Sequence, residues 1–202
     1  MLDSPKPAFS ADDAPGLGNL ALDFLHTIRP VRGGMLDMLQ TPAGLLEWLN
    51  SHPERGPAGT GEVQPAEARI LLDEARRLRA DIRAVVEARH RRREAPSLAL
   101  HGLNRVLVAT RWSWELTNDA DGFGLRAIGG GEGPLCRLAS VALAASHLLL
   151  QVPVDRLRLC AAERCGAWFV DTSKGGRRRW CSMERCGNRE KAAVHRAKAT
   201  RR

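Results

Sequence analysis

Four cysteines carry the most chemistry in this chain: Cys160, Cys165, Cys181 and Cys186, two C-x4-C pairs with fifteen residues between them. A tetrahedral four-thiolate zinc site asks for this layout, since each pair can fold its backbone around the ion while the intervening loop crosses over. Thiolates ligate only when deprotonated, and the surrounding arginines lower the cost of that negative charge. The alternatives are four reduced thiols or a disulfide pair; paired spacing in a basic segment favours Zn2+. A stretch of about 40 residues holds too little apolar surface to fold alone, so the ion would supply stability directly. Four sulfur donors leave no open position for water, which marks the site as structural. His195, nine residues after Cys186, is not needed as a ligand. The fifth cysteine, Cys136, lies on an apolar helix pattern and reads as a small buried side chain. There is no GxSxG, no HExxH, no Gly-rich phosphate loop and no paired carboxylates, so the chain is expected not to be an enzyme.

The cysteines sit where the charge is. The whole chain carries a formal net charge of +8, yet from Asp155 onward there are 14 basic and 5 acidic residues, a local net of +9. Such asymmetry points to an anionic partner for the C-terminal segment. The candidate nucleic-acid contacts are Arg177, Arg178, Arg179, Arg189, Lys191, Arg196 and Lys198, with Arg201 and Arg202 beyond them; guanidinium forks suit phosphate. DNA is the leading partner and RNA the rival, because small basic zinc modules bind both. Arg179 and Arg189 flank the cysteines and have an equal claim to a structural role, holding thiolates or carbonyls. Trp168 and Trp180 are expected to pack around the site rather than stack on bases, and Asp171 and Asn188 to act as turn and cap residues. A further reading is a redox sensor, in which oxidation of the thiolates releases the metal.

The elements that must position these residues follow from periodicity. The 202 residues, 22.1 kDa and 44% hydrophobic, suit one large domain or two small ones. Residues 1–15 read as a flexible leader, 16–152 as a mainly α-helical domain with one β-hairpin, and 156–199 as a small treble-clef-like zinc finger, an α+β arrangement overall. Residues 18–28 have a helix-like apolar face, though so short a segment also suits a strand. Thr41-Pro42 opens a helix as cap and first residue. Residues 53–61 form a turn-rich linker. A long helix runs from Pro65 to Arg93, and its terminal arginine run is expected to be a solvated helix end. Ser97 caps another helix, residues 112–127 alternate as a hairpin, Gly129–Gly131 breaks the chain, and residues 133–151 form a core helix. Within the finger, residues 167–171 and 177–180 are expected to pair as strands, followed by a helix from Arg189 capped by Asn188. No apolar run approaches the ~20 residues of a membrane span, and no secretory signal opens the chain, so a cytoplasmic location is expected. The helical domain could form a homodimer or hold a small-molecule effector near His26, Arg29, Arg32 and Trp48.

Phe169-x-Asp171-x-Ser173, then Arg178-Arg-Trp-Cys-Ser-Met183, then Cys186-Gly-Asn-Arg189-x-Lys191, resemble the CGNR zinc finger, named for its last cysteine and the three residues after it. Leu20-Ala-Leu-Asp-Phe-Leu-His-Thr27 and the Leu-rich segment ending in Trp48-Leu49 resemble the opening of the ABATE domain that precedes this finger; the family has Asn where this chain has His26. The resemblance implies a zinc-dependent regulator of transcription in the stress response.

Overall fold

In a computed structural model the described residues are 19–31, 34–52, 63–109, 113–119, 122–128 and 133–199. The expected leader, the 53–61 linker and the Gly129–Gly131 break lie outside them, as do Arg32, Trp112, Arg201 and Arg202. The elements run α1 (Leu20–Leu25), β1 (Ile28–Val31), β2 (Gly34–Asp37), α2 (Pro42–Asn50), α3 (Pro65–His90), α4 (Ser97–Ala109), β3 (Ser113–Asp119), β4 (Gly122–Ile128), α5 (Ala139–Gln151), β5 (Leu157–Leu159), β6 (Trp168–Val170) and α6 (Asn188–Ala199). The strands form three separate antiparallel pairs, β1–β2, β3–β4 and β5–β6.

Local chemistry starts the first two helices. The Asn19 side chain accepts from the Ala21 amide at 2.9 Å, and Thr41 Oγ1 accepts from the Gly44 amide at 3.1 Å with Pro42 at the first helical position. The long helix α3 presents Leu71, Ala75, Leu78, Ile82 and Val86 at helical spacing, and these meet Leu22, Phe24, Leu45, Leu103, Val141 and Leu148 in one apolar core. Ala139–Gln151 follows a tight 3-10 turn, Pro134–Leu138. Among the described residues the stretch Pro134–Gln151 alone has a membrane span's length and apolarity. Its Val141, Ala142, Ala145 and Leu148 are sealed in the core against α1, α3 and α4, which makes it a core helix. Cys136 is buried, its thiol donating to the Ala109 carbonyl at 3.1 Å.

Two expectations need correction in this half. The opening helix stops at Leu25, and Ile28 begins a strand. The β1–β2 hairpin is therefore a second hairpin in the helical region, beside the expected β3–β4 pair with Leu116 opposite Leu125. The 28–37 stretch shows no alternation because Val31, Met35 and Leu36 stay exposed. Buried polar bonds hold this hairpin instead of an apolar face. Arg79 of α3 makes a two-pronged ion pair with Asp37 at 2.6 and 2.7 Å and donates to Thr27 Oγ1 at 2.9 Å. Asp37 also accepts from the Leu39 amide at 2.9 Å, and Arg76 donates to the Leu39 carbonyl at 2.8 Å.

The C-terminal segment departs from expectation in its strand pairing. Strand β6 pairs with β5, which precedes Cys160, with Leu157 opposite Val170 and Leu159 opposite Trp168. Residues 177–180 form no strand. Side-chain burial explains the choice: β5–β6 turns Leu157 and Trp168 into the same core as the helices, while Phe169 faces the cysteines. Further bonds tie the two halves. His90 Nδ1 lies 2.9 Å from the Leu157 carbonyl, and its ring meets Trp168 edge-on at 5.0 Å. Arg89, expected at a solvated helix end, donates to the carbonyls of Leu148 and Val152 at 3.3 and 2.6 Å, closing the C-terminus of α5.

Two substitutions test this frame. Asp37→Ala strands the Arg79 charge and should cost about 3 kcal/mol in chemical denaturation. Trp168→Ala should lower the stability of the helical half by about 3 kcal/mol, because it opens a cavity in the shared core. An unchanged unfolding midpoint for the helices in the second variant would mean that the halves are independent.

Candidate metal centre

Each cysteine is delivered by a short, heavily bonded backbone segment. Cys160 follows β5, its amide donating to the Ala167 carbonyl at 2.8 Å, and the Cys165 amide donates to the Ala162 carbonyl at 3.0 Å. Gly166 then turns the chain with φ at +63°, a conformation that suits glycine. The second pair spans the start of a wide π-helical turn, Met183–Gly187, with Cys181 before it and Cys186 within it; the Cys186 and Gly187 amides both donate to the Ser182 carbonyl. Ser182 Oγ accepts from the Arg185 amide at 3.2 Å and is the cap here. Asn188, expected as the cap, has helical torsions and simply continues into α6.

The four Sγ atoms all lie within 4.8 Å of one another. Cys165 and Cys181 are 3.6 Å apart and Cys181 and Cys186 3.7 Å. A tetrahedron with zinc–sulfur bonds of about 2.3 Å has edges of about 3.8 Å, so these sulfurs stand at the spacing that such an ion requires. Four soft sulfur donors and no oxygen or nitrogen suit zinc far better than magnesium or calcium. The Cys181 amide points at Cys160 Sγ at 3.4 Å and Arg189 Nη2 at Cys186 Sγ at 3.8 Å, both placed to stabilise thiolate charge.

Without a cation the sulfurs share protons unequally. Hydrogen bonding from Cys181 holds the Cys165 thiol low, at about 5, against the opposing effect of burial. The Cys165 hydrogen bond in turn raises Cys181 strongly, reinforced by burial and by the neighbouring negative charge. Burial, then Cys165, pushes Cys186 up to about 11. Cys165 is thus tolerated as a thiolate, and a metal must expel protons from Cys181 and Cys186.

The loop between the pairs is organised by Asp171, which is 1% exposed. It accepts from the Ser173 amide and hydroxyl at 3.0 and 2.6 Å and from the Arg178 amide at 2.7 Å, with Arg158 at 3.5 Å. Burial alone would raise its pKa, but these donors outweigh it and hold the carboxyl at about 2. Arg156, passed over in the sequence, donates to the Asp171 and Ser173 carbonyls, and Arg158 to that of Gly176.

The structure divides the expected nucleic-acid residues. Arg178 is tied inward: it donates to the Cys181 carbonyl at 2.7 Å and lies over the Phe169 ring at 5.2 Å. Arg179 is exposed and stacks on Trp180 at 5.2 Å; Arg177 is exposed. On α6, Arg189 and Arg196 are seven residues apart and share one side, while Lys191 and His195 occupy the opposite side, with Lys198 on the same stripe by helical spacing. The side chain of Lys198 lies outside the described residues. Trp168 is spent in the core.

The expected effector residues are also dispersed. Trp48 is buried against Phe24 at 5.1 Å, and Arg29 is exposed on β1. His26 ends α1; its Nε2 is buried with no partner among the described residues, and burial depresses its pKa to about 4 against a main-chain hydrogen bond to Trp168. None of the three lines the groove that lies between the β1–β2 hairpin and the cysteine loop. Sequence reasoning missed that groove, because Arg83 on α3 carries no signal that separates it from a solvated helix position.

Protons must leave at least Cys181 and Cys186 when metal enters at neutral pH. The apparent zinc affinity should therefore fall by at least about two decades per pH unit between pH 8 and 6. Competition against a chromophoric chelator at several pH values measures that slope, and a flat profile would exclude thiolate ligation.

Residues 156–199 match the family model of the CGNR zinc finger. Residues 18–152 match that of the ABATE domain, described as "Putative stress-induced transcription regulator". No curated protein matches the chain. With that match spanning well over half of its length, and its four sulfurs gathered at metal-binding distance behind it, the chain belongs to the ABATE family and carries a C-terminal CGNR zinc finger.

Proposed function

We propose that this protein is a transcription regulator that binds duplex DNA through its finger, with Zn2+ as the structural ion and no catalytic role. The observation that carries the reading is the exposed cationic surface on a metal-clamped frame: Arg177 and Arg179 on the loop between the cysteine pairs, and Lys191 on α6 directly after the second pair. Side chains on a rigid frame lose less entropy when they meet phosphate, and guanidiniums can grip it with two prongs. Four sulfurs fill a tetrahedron and leave no site for a metal-bound water, so the ion builds the surface rather than performing chemistry. Arg178 serves the frame, through the Cys181 carbonyl and the Phe169 ring.

Roles divide accordingly in a binding experiment. Arg177→Ala and Lys191→Ala should each weaken duplex DNA binding across all sequences and reduce the salt slope by about 1 in log–log terms, with the fold intact. Arg178→Ala should lower the finger's thermal stability as well as its binding. Parallel gel shifts with duplex DNA and structured RNA, repeated after chelation, complete the test. Tighter binding of RNA, or DNA binding that survives metal removal, would overturn the reading.

A further inference from the structure

A groove of about 1110 Å³ runs between the β1–β2 hairpin and the finger. Its two sides differ in chemistry. The hairpin contributes Ile28, Pro30 and Met35, which the antiparallel register places on one face, with Val31 and Gly34 near the tip. The other side contributes Arg164, Cys165 and Gly166 from the first cysteine loop and Arg189 and Arg196 from α6, while Arg83 enters from α3. Four arginines and one acidic residue, Glu163, thus line the groove.

Arg83 is the telling member. It is half-buried, donates to the Leu25 carbonyl at 3.2 Å, and has no ion pair among the described residues. Burial lowers its pKa and the neighbouring Arg79 adds repulsion, which the smaller attraction of Glu87 opposes, so the charge is held at a cost. Arg79, by contrast, is matched by Asp37. Desolvated cations are ordinarily paired, and an anion entering the groove would complete this set. The hairpin side asks for something else. Met35 is 59% exposed on the face it shares with Ile28 and Pro30, and an apolar body laid against that face would remove its surface from water.

We propose that this groove binds a small amphipathic anion: an apolar body along the hairpin and one carboxylate or phosphate head group among the arginines. A nucleic-acid backbone fits less well, because its phosphates offer nothing to Ile28, Pro30 and Met35. The finger's outward cations also lie elsewhere, with Lys191 on the far side of α6 from Arg189 and Arg196. The site is distinct from the DNA-binding surface, and occupancy requires no DNA. Its occupant would touch both halves of the chain, and Arg189 also reaches Cys186 Sγ, so the ligand would sit one side chain from the metal centre.

The test is calorimetric titration of the zinc-loaded full chain with decanoate, decyl phosphate, decanol and inorganic phosphate. Decanoate or decyl phosphate should saturate one site at least about tenfold more tightly than decanol or phosphate, and the tighter of the two identifies the head group. Arg83→Gln and Met35→Asp should each weaken that binding by at least about tenfold. Met35 is exposed on the hairpin, so its variant keeps the fold and decides the matter if Arg83→Gln proves unstable. No saturation by either decyl anion at about 1 mM, or binding indifferent to Met35→Asp, would overturn the proposal. Inorganic phosphate binding as tightly as the decyl anions, and displaced by duplex DNA, would also overturn it and assign the groove to nucleic acid.

Discussion

Four sulfurs held within 4.8 Å of one another make an electrostatic problem that the polypeptide alone does not solve. The pKa pattern expresses it: Cys165 settles as a thiolate, while its hydrogen bond keeps the proton on Cys181 and burial keeps the proton on Cys186. A divalent ion would remove the conflict and make the two cysteine segments one body around it. Much of the finger's basic character serves the same end. Arg189 approaches Cys186, Arg178 closes on the Cys181 carbonyl, and Arg156 and Arg158 bind loop carbonyls beside Asp171. The density of positive charge in the sequence is therefore a mixture, and only part of it is available to an outside anion.

The metal ligands were legible because their signal is purely local. Two pairs at fixed spacing can reach one ion regardless of what the rest of the chain does, and the helices α2 and α3 declare themselves through Pro42 and Pro65 and a regular apolar stripe. The strand pairing in the finger was not legible. Trp168–Val170 has strand character, but its partner is chosen by where Leu157 and Trp168 can be buried, and that depends on helices more than fifty residues away in sequence. The β1–β2 hairpin was hidden for the opposite reason. Its exposed Val31, Met35 and Leu36 erase the alternation that marks a half-buried strand, and its anchor is an ion pair between residues 42 positions apart.

The helix α6 shows how a uniform-looking charge run acquires two meanings. Asn188–Ala199 reads as a solvated basic helix, yet its rotation relative to the metal centre turns Arg189 and Arg196 toward the hairpin groove and Lys191 and His195 away from it. That rotation is set upstream: the π-helical turn Met183–Gly187, with both the Cys186 and Gly187 amides on the Ser182 carbonyl, fixes the phase at which the helix departs. A regular α-turn across the same residues would leave α6 about 100° out of register with the hairpin, because each residue of an α-helix turns by that angle.

The two family matches meet between residues 152 and 156, but the packing does not divide there. Leu157 and Trp168 come from the finger and are buried among side chains of the helical region, and His90 reaches across from α3 to the Leu157 carbonyl and the Trp168 ring. The β5–β6 hairpin thus has two faces with two duties, Leu157 and Trp168 toward the helices and Phe169 toward the sulfurs. A three-residue strand pair is marginal by itself. It is held on one face by the helical core and on the other by the cysteine cluster, so the order that a bound ion would impose on Cys160 and Cys165 would also be order imposed on the surface that the helices bury.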